Sequence, residues 1–177
     1  MKKLLTTILS LAAISTFAGD YGKAVIDCKA PVIQPCYLAG ELQVDLFGSA
    51  NIESGDESYG GGVGINYFIT QYIGIGASWN LIDLDGQLGS SSDTELHDTS
   101  VDLIFRMPLG EESCTAIHGM VGGGVISNGS NHGTYNVGLG LEHRFDAFGV
   151  FAEGRQTWID SADVDFTSIR LGARFVF

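Results

Sequence analysis

The sequence predicts an all-β protein: an eight-stranded antiparallel up-and-down β-barrel that crosses a membrane, with a polar interior and an apolar, lipid-facing exterior. Three observations lead to this prediction. The last eleven residues alternate strictly between apolar and polar positions, and seven earlier stretches repeat that alternation. The composition is also unusual, because 25 glycines and 10% aromatic residues accompany only 17% charged residues. Such a chain is rich in β-structure and poor in surface charge.

The C-terminal stretch, Thr167–Phe177, shows the alternation most clearly. One set of alternate positions carries the two arginines Arg170 and Arg174. The other set is almost wholly apolar and consists of Thr167, Ile169, Leu171, Ala173, Phe175 and Phe177. Because successive strand side chains point to opposite faces, the stretch has one apolar face and one basic face.

The N-terminus, residues 1–18, predicts a secretory signal that is removed before folding. It combines Lys2 and Lys3, the apolar run Leu4–Ala13 and the small-residue end Thr16–Ala18. We expect cleavage before Gly19, the alternative being a short membrane anchor. Export places the chain in an oxidising compartment.

Residues 19–39 predict an irregular periplasmic segment that precedes a barrel domain at residues 40–177. The segment contains two prolines and the cysteines Cys28 and Cys36. A Cys28–Cys36 bond would close a short loop and contribute about 2–3 kcal/mol in the chain-entropy view. Cys114 is the third cysteine, so three pairings stay open at this point.

The predicted strands follow one another along the rest of the chain. They are Glu41–Phe47, Tyr59–Ile69, Ile73–Leu81, Val101–Leu109, Ile117–Val125, Tyr135–Phe145, Phe148–Trp158 and Thr167–Phe177. Long polar connections are predicted after the first, third, fifth and seventh strands, and short ones after the others. An even barrel with both termini on the periplasmic side has this parity.

The polar faces of these strands predict a charged interior. If the apolar faces point outward, all five arginines of the mature chain point inward together with four carboxylates. Buried charges must pair, and guanidinium and carboxylate groups pair well. The predicted ion-pair network consists of Asp45, Asp102, Arg106, Glu142, Arg144, Glu153, Arg155, Arg170 and Arg174. A lipocalin-like secreted barrel would have the opposite polarity.

The outward aromatic residues predict two girdles at the two membrane interfaces. One group lies near the long connections and comprises Tyr59, Trp79, Tyr135 and Trp158. The other lies near the short turns and comprises Tyr67, Phe145, Phe148, Phe175 and Phe177.

The pattern from Glu41 to Phe177 resembles the small eight-stranded bacterial outer-membrane barrels of the OmpA-transmembrane, OmpX and opacity-protein type. In that class the last strand is read by the barrel-assembly machinery, and Ile169, Leu171, Phe175 and Phe177 match its alternating apolar face and terminal aromatic. The resemblance implies a Gram-negative-type outer membrane, membrane lipid and the assembly machinery as partners, a monomer and no cofactor.

The net charge of −12 falls to −14 once the signal and its two lysines are removed, which argues against nucleic acid as a partner. The acidic loops contain no Lys or Arg, and their carboxylates could share divalent cations. The candidates are Glu53, Asp56, Glu57, Asp83, Asp85, Asp160 and Asp163. The alternative is a solvated acidic surface.

The function that we predict from the sequence is that of a non-enzymatic integral outer-membrane protein with a structural or surface-interaction role. One alternative is a lipid A-modifying acyl hydrolase or transferase, which would draw on serine, histidine and acid residues in the second and third long loops. The candidates are Ser92, Asp93, Glu95 and His97, and then Ser127, Ser130 and His132. The other alternative is a narrow channel, although eight strands leave an interior that side chains fill.

Overall fold

The computed structural model describes residues 36–53, 56–84, 94–110, 113–127, 131–160 and 165–177. They form eight strands: β1 (Glu41–Glu53), β2 (Asp56–Phe68), β3 (Ile73–Leu84), β4 (Thr94–Pro108), β5 (Thr115–Ser127), β6 (Asn131–Phe145), β7 (Phe148–Ile159) and β8 (Asp165–Val176). Each strand pairs antiparallel with its neighbours in the chain, and β1 also pairs with β8. The sheet is therefore a closed barrel without a free edge.

The barrel has two distinct ends. The start of β1, the end of β8 and the connections after β2, β4 and β6 lie at one end, which we call the terminal end. The connections after β1, β3, β5 and β7 lie at the other, which we call the distal end.

The strands extend further toward the distal end than the sequence suggested. Asn51–Glu53, Asp56–Ser58, Thr94–Asp98 and Asn131–Gly133 were all predicted as loops but belong to strands. Backbone pairing continues past the apolar band because the hydrogen-bonded ladder does not depend on side-chain polarity. The predicted parity of long and short connections was therefore wrong. Only two residues separate β1 from β2, whereas six separate β4 from β5.

The outer surface of the barrel is apolar. Its exposed side chains include Leu46, Ile75, Leu103, Leu139 and Leu171. Aromatic rings pair across neighbouring strands on this surface. Tyr135 and Trp158 stack with ring centroids 5.4 Å apart, and Phe148 lies edge-on to Phe175 at 5.6 Å. A helix with the length and hydropathy to cross a membrane is absent from the part of the chain that the structure describes.

The disulfide corrects the pairing that the sequence favoured. Cys36 is bonded to Cys114, 78 residues away, and not to Cys28, which lies outside the described residues. Cys114 directly precedes β5 at the terminal end, where Cys36 leads into β1. Barrel closure brings these distant positions together, and spacing along the chain could not reveal that. The predicted signal, residues 1–18, also lies outside the described residues.

Candidate functional site

The candidate site is the lumen of the barrel, because it holds every described arginine. Its charged side chains form two groups. The terminal cluster consists of Glu41, Asp45, Arg106, Glu142, Arg144 and Arg174, and the distal cluster of Asp98, Asp102, Glu153, Arg155 and Arg170. All eleven are at most 7% exposed, so each needs partners inside the barrel.

Glu41 joins two arginines in the terminal cluster. Its Oε1 atom accepts a hydrogen bond from Arg106 Nη1 at 2.9 Å, and its Oε2 atom accepts one from Arg144 Nη1 at 2.6 Å. A second bond links Arg144 Nη2 to Oε1, so this contact is bidentate. Bidentate contacts of this kind fix the geometry as well as the charge balance.

Arg174 holds two carboxylates from opposite sides of the same cluster. Its Nε and Nη2 atoms donate to the two oxygens of Asp45 at 2.8 and 2.7 Å, and Nη1 donates to Glu142. Asn66 supplies a further bond to Asp45 Oδ2 at 2.8 Å. The guanidinium carbon also lies 4.8 Å from the centre of the Phe151 ring. Removing Arg174 would therefore leave two buried carboxylates short of a partner.

The distal cluster is organised around Arg155 and Glu153. Arg155 Nη2 lies 3.0 Å from Asp102 Oδ2, and its Nε lies 3.2 Å from Glu153 Oε1. Arg170 connects to the same group through Asp98 at 3.4 Å and Glu153 at 3.9 Å. These residues come from β4, β7 and β8, so the cluster links opposite walls of the barrel.

Tyr37 closes the terminal end of the lumen. Its ring lies under two guanidinium groups, 4.5 Å from Arg106 and 4.2 Å from Arg144, and its hydroxyl donates to the carbonyl of Cys114 at 2.8 Å. The adjacent Cys36 carbonyl accepts a bond from Arg144 Nη1 at 2.8 Å. Burial is the main reason that the pKa of Tyr37 is raised well above its usual value. The Cys36–Cys114 bond fixes this residue across the lumen.

An apolar cap closes the distal end. It consists of Ile82, Leu96, Ile126 and Phe166, which pack against one another with Ile159 beside them. These inward positions lie beyond the charged clusters, where the strands project past the apolar outer band. The apolar cap and Tyr37 therefore lie at opposite ends of the described lumen.

A small cavity lies in the lumen between the two closures. Its lining includes the charged residues Asp45, Asp102, Glu153 and Arg155 and the apolar side chains of Phe47 and Met120. Gly64 on β2 lines this cavity, whereas a side chain added at Gly74 or Gly76 on β3 would collide with Phe68 or Asn66.

The structure places all nine residues of the predicted network in the lumen and brings them into the two clusters. It also shows members that the sequence reasoning missed, namely Glu41, Asp98, Tyr37 and the apolar cap. Glu41 shares its face with Gln43 and Asp45, so the alternation would have found it. Asp98 was counted with a loop, although steps of two from Asp102 lead to it.

The acidic candidates for cation binding are only partly described. Glu57 and Asp160 are exposed at the distal end, and Asp85 and Asp163 lie outside the described residues. For Glu53, Asp56 and Asp83 only the strand positions are described. Within the described ranges, no group of three or more His, Cys, Asp or Glu is arranged to hold a metal ion. The shared-cation hypothesis stays a prediction.

The serine and histidine candidates do not form a described catalytic group. His97 is exposed and stacks on Trp79, with ring centroids 5.9 Å apart. Ser92, Asp93 and Ser130 lie outside the described residues, and for Glu95 only the position in β4 is described. Ser127 and His132 are half-buried near the distal ends of β5 and β6.

Comparison with solved structures identifies the fold. The chain resembles Neisserial surface protein A (TM-score 0.59, 12% identity, 76% of this chain and 95% of that one). It also resembles Ail, the attachment invasion locus protein of Yersinia pestis (TM-score 0.55, 18% identity, 79% of this chain and 100% of that one). A third similar structure is the N-terminal β-barrel domain of Pseudomonas aeruginosa OprF (TM-score 0.54, 18% identity, 78% of this chain and 98% of that one). The predicted fold class and the resemblance to small eight-stranded outer-membrane barrels are therefore confirmed.

No family model matches the sequence, and no curated protein matches it. At identities of 12 to 18% the structural likeness establishes the fold and not the activity.

Proposed function

We propose that this protein is a non-enzymatic integral protein of the bacterial outer membrane, with a structural or surface-interaction role and with both termini in the periplasm. The polarity of the barrel carries the proposal. All five arginines of the described chain lie in the lumen in ion pairs, while the outer surface is a band of exposed apolar side chains. In water this arrangement would expose a large apolar area and bury charge, whereas in a bilayer both faces match their surroundings.

The closed lumen supports a scaffold rather than a channel. Tyr37 lies across the terminal end, the apolar cap fills the distal end, and ion pairs link the walls between them. Ions would have to break buried pairs in order to pass. We therefore expect the barrel to present its distal strand ends and loops at the cell surface while conducting nothing.

Cell fractionation tests the location directly. The protein should sediment with the outer membrane and resist extraction with alkaline carbonate, and an epitope after Phe177 should be reached by protease only when the outer membrane is permeabilised. Recovery in the inner membrane or the soluble periplasm would contradict the proposal. Cleavage of the epitope on intact cells would contradict only the orientation.

Two further measurements separate this role from the alternatives. Lipid A extracted from a deletion strain should have an unchanged mass spectrum, since a changed acylation pattern would indicate the lipid-modifying enzyme. Planar bilayers containing the purified barrel should show no discrete conductance steps, which a narrow channel would produce. A pull-down from cells, combined with phenotyping of the deletion strain, would then identify the surface partner.

A further inference from the structure

We propose that the outer face of β6, β7 and β8 binds one membrane lipid that has an ammonium headgroup. The site, which we call the lipid groove, has a polar ledge near the distal end and an apolar channel below it. This inference rests on the proposed membrane location, and the experiment below distinguishes failure of the two. It concerns an outward surface that takes no part in the lumen network.

The ledge is a row of side chains that crosses three strands. Trp158 is the register partner of Tyr135 on one side and of Asp165 on the other. The two rings stack 18° from parallel, and Tyr135 is 56% exposed. On the next rung, Gln156 Nε2 donates to Asp165 Oδ2 at 2.7 Å, and Thr167 donates to Gln156 Oε1. The ledge therefore joins an aromatic pair to an exposed carboxylate that is held in place.

The channel below the ledge runs along β7. Its floor is formed by Gly154 and Ala152, and a side chain added at Gly154 would enter open space. The walls are the register partners of these two residues: Leu139 and Leu141 on β6, and Ile169 and Leu171 on β8. All four wall side chains are at least 48% exposed. A row of small residues between taller apolar walls can accommodate an acyl chain along the barrel.

The charge of the ledge selects the headgroup. Every described arginine faces the lumen, and no described residue of the outer surface is Lys or Arg, so an anionic headgroup meets only a carboxylate here. An ammonium group would find the Asp165 carboxylate and the faces of Trp158 and Tyr135, which attract cations. Trp79 on β3 serves as an internal comparison, because its register partners are Val63 and Thr99 rather than a carboxylate. Its ring stacks on His97.

Quenching of the two tryptophans by brominated lipids tests the site. Trp79→Phe leaves Trp158 as the reporter, and Trp158→Phe leaves Trp79. Each variant is reconstituted into vesicles of phosphatidylethanolamine and phosphatidylglycerol, with one of the two lipids brominated near the headgroup end of its chains. We expect brominated phosphatidylethanolamine to occupy the site next to Trp158 about two- to fivefold above its bulk fraction, the range given by a cation–π contact at an exposed site. Trp79 should report bulk composition.

Three further variants separate the ledge from the channel. Asp165→Asn keeps the hydrogen-bonding shape but removes the negative charge, and it should reduce the headgroup preference at Trp158 toward what the aromatic rings alone provide. Gly154→Leu fills the channel and should reduce quenching at Trp158 by either brominated lipid. The control Ala77→Leu changes an exposed small residue on β3 and should alter neither. Equal quenching by both headgroups at Trp158, or a preference that Asp165→Asn leaves undiminished, would overturn the lipid site while leaving the membrane location intact. Absence of quenching at both tryptophans would instead refute the membrane location.

Discussion

Replacing Arg174 with methionine tests the energetic role of the lumen network. Methionine keeps much of the side-chain length against Phe151 but removes the guanidinium that holds Asp45 and Glu142. Glu142 keeps distant contacts with Arg106 at 3.6 Å and Arg144 at 3.8 Å. Asp45, which is 6% exposed, keeps only the amide of Asn66. Asp45 is therefore the carboxylate that loses the larger share of its hydrogen-bond and ion-pair partners.

The expected loss is about 3–5 kcal/mol, because removing one partner leaves the other charge buried and uncompensated. With a urea slope of about 1–3 kcal/mol per molar for a small protein, the unfolding midpoint should fall by roughly 2 M. Tryptophan fluorescence of the refolded barrel in detergent or lipid vesicles can follow the transition. The outward variant Leu171→Met, on the same strand, is the matched control and should leave the midpoint unchanged.

A double variant makes the test specific to charge. Adding Asp45→Asn to Arg174→Met removes the stranded charge, so the double variant should recover part of the lost stability. If Arg174→Met alone does not move the midpoint, or if the double variant is as unstable as the two single effects combined, the pair is not a buried ion pair and the lumen is hydrated.

Three other changes should have distinct effects. Cys36→Ser should lower the free energy of unfolding by up to about 4.5 kcal/mol, the value that the chain-entropy model gives for a loop of 78 residues. Urea unfolding with and without reductant measures this loss, and equal midpoints would contradict it. Phe177→Ser, or deletion of β8, should leave protein aggregated in the periplasm, since the terminal aromatic completes the apolar face of the last strand; normal outer-membrane yield of the deletion would refute this. Calcium should raise thermal stability and protect the acidic distal loops from protease, whereas sodium at equal ionic strength should not; equal effects would mean screening alone.

The alternation of the sequence predicted the fold and most of the lumen, because one face of every strand is apolar. Asp102 and Arg106 on β4 show why: they are four residues apart, an even number, so they share a face with one another and not with Val101. The same rule fails at the distal end. There Leu96 and Ile82 point inward although they are apolar. The strands project beyond the apolar outer band at this end, so apolar side chains are buried inside the barrel and not on its outer surface.

The closure of the terminal end could not be predicted from spacing. Tyr37 contacts Arg106 and Arg144, which lie far along the chain, and Cys36 reaches Cys114 only because the barrel closes. These are long-range contacts within a segment that has no periodicity of its own. The lipid groove was hidden for a related reason, since Gly154 becomes a groove floor only when β6 and β8 flank it.

Refolding of the mature chain tests the central claim most directly. A barrel with an apolar exterior and an ion-paired lumen should fold only when detergent micelles or lipid cover its outer surface. It should then give a β-type circular dichroism spectrum, and the unboiled sample should migrate differently from the boiled one in SDS gels. A helical spectrum, or a folded monomer that is soluble without detergent, would contradict the account.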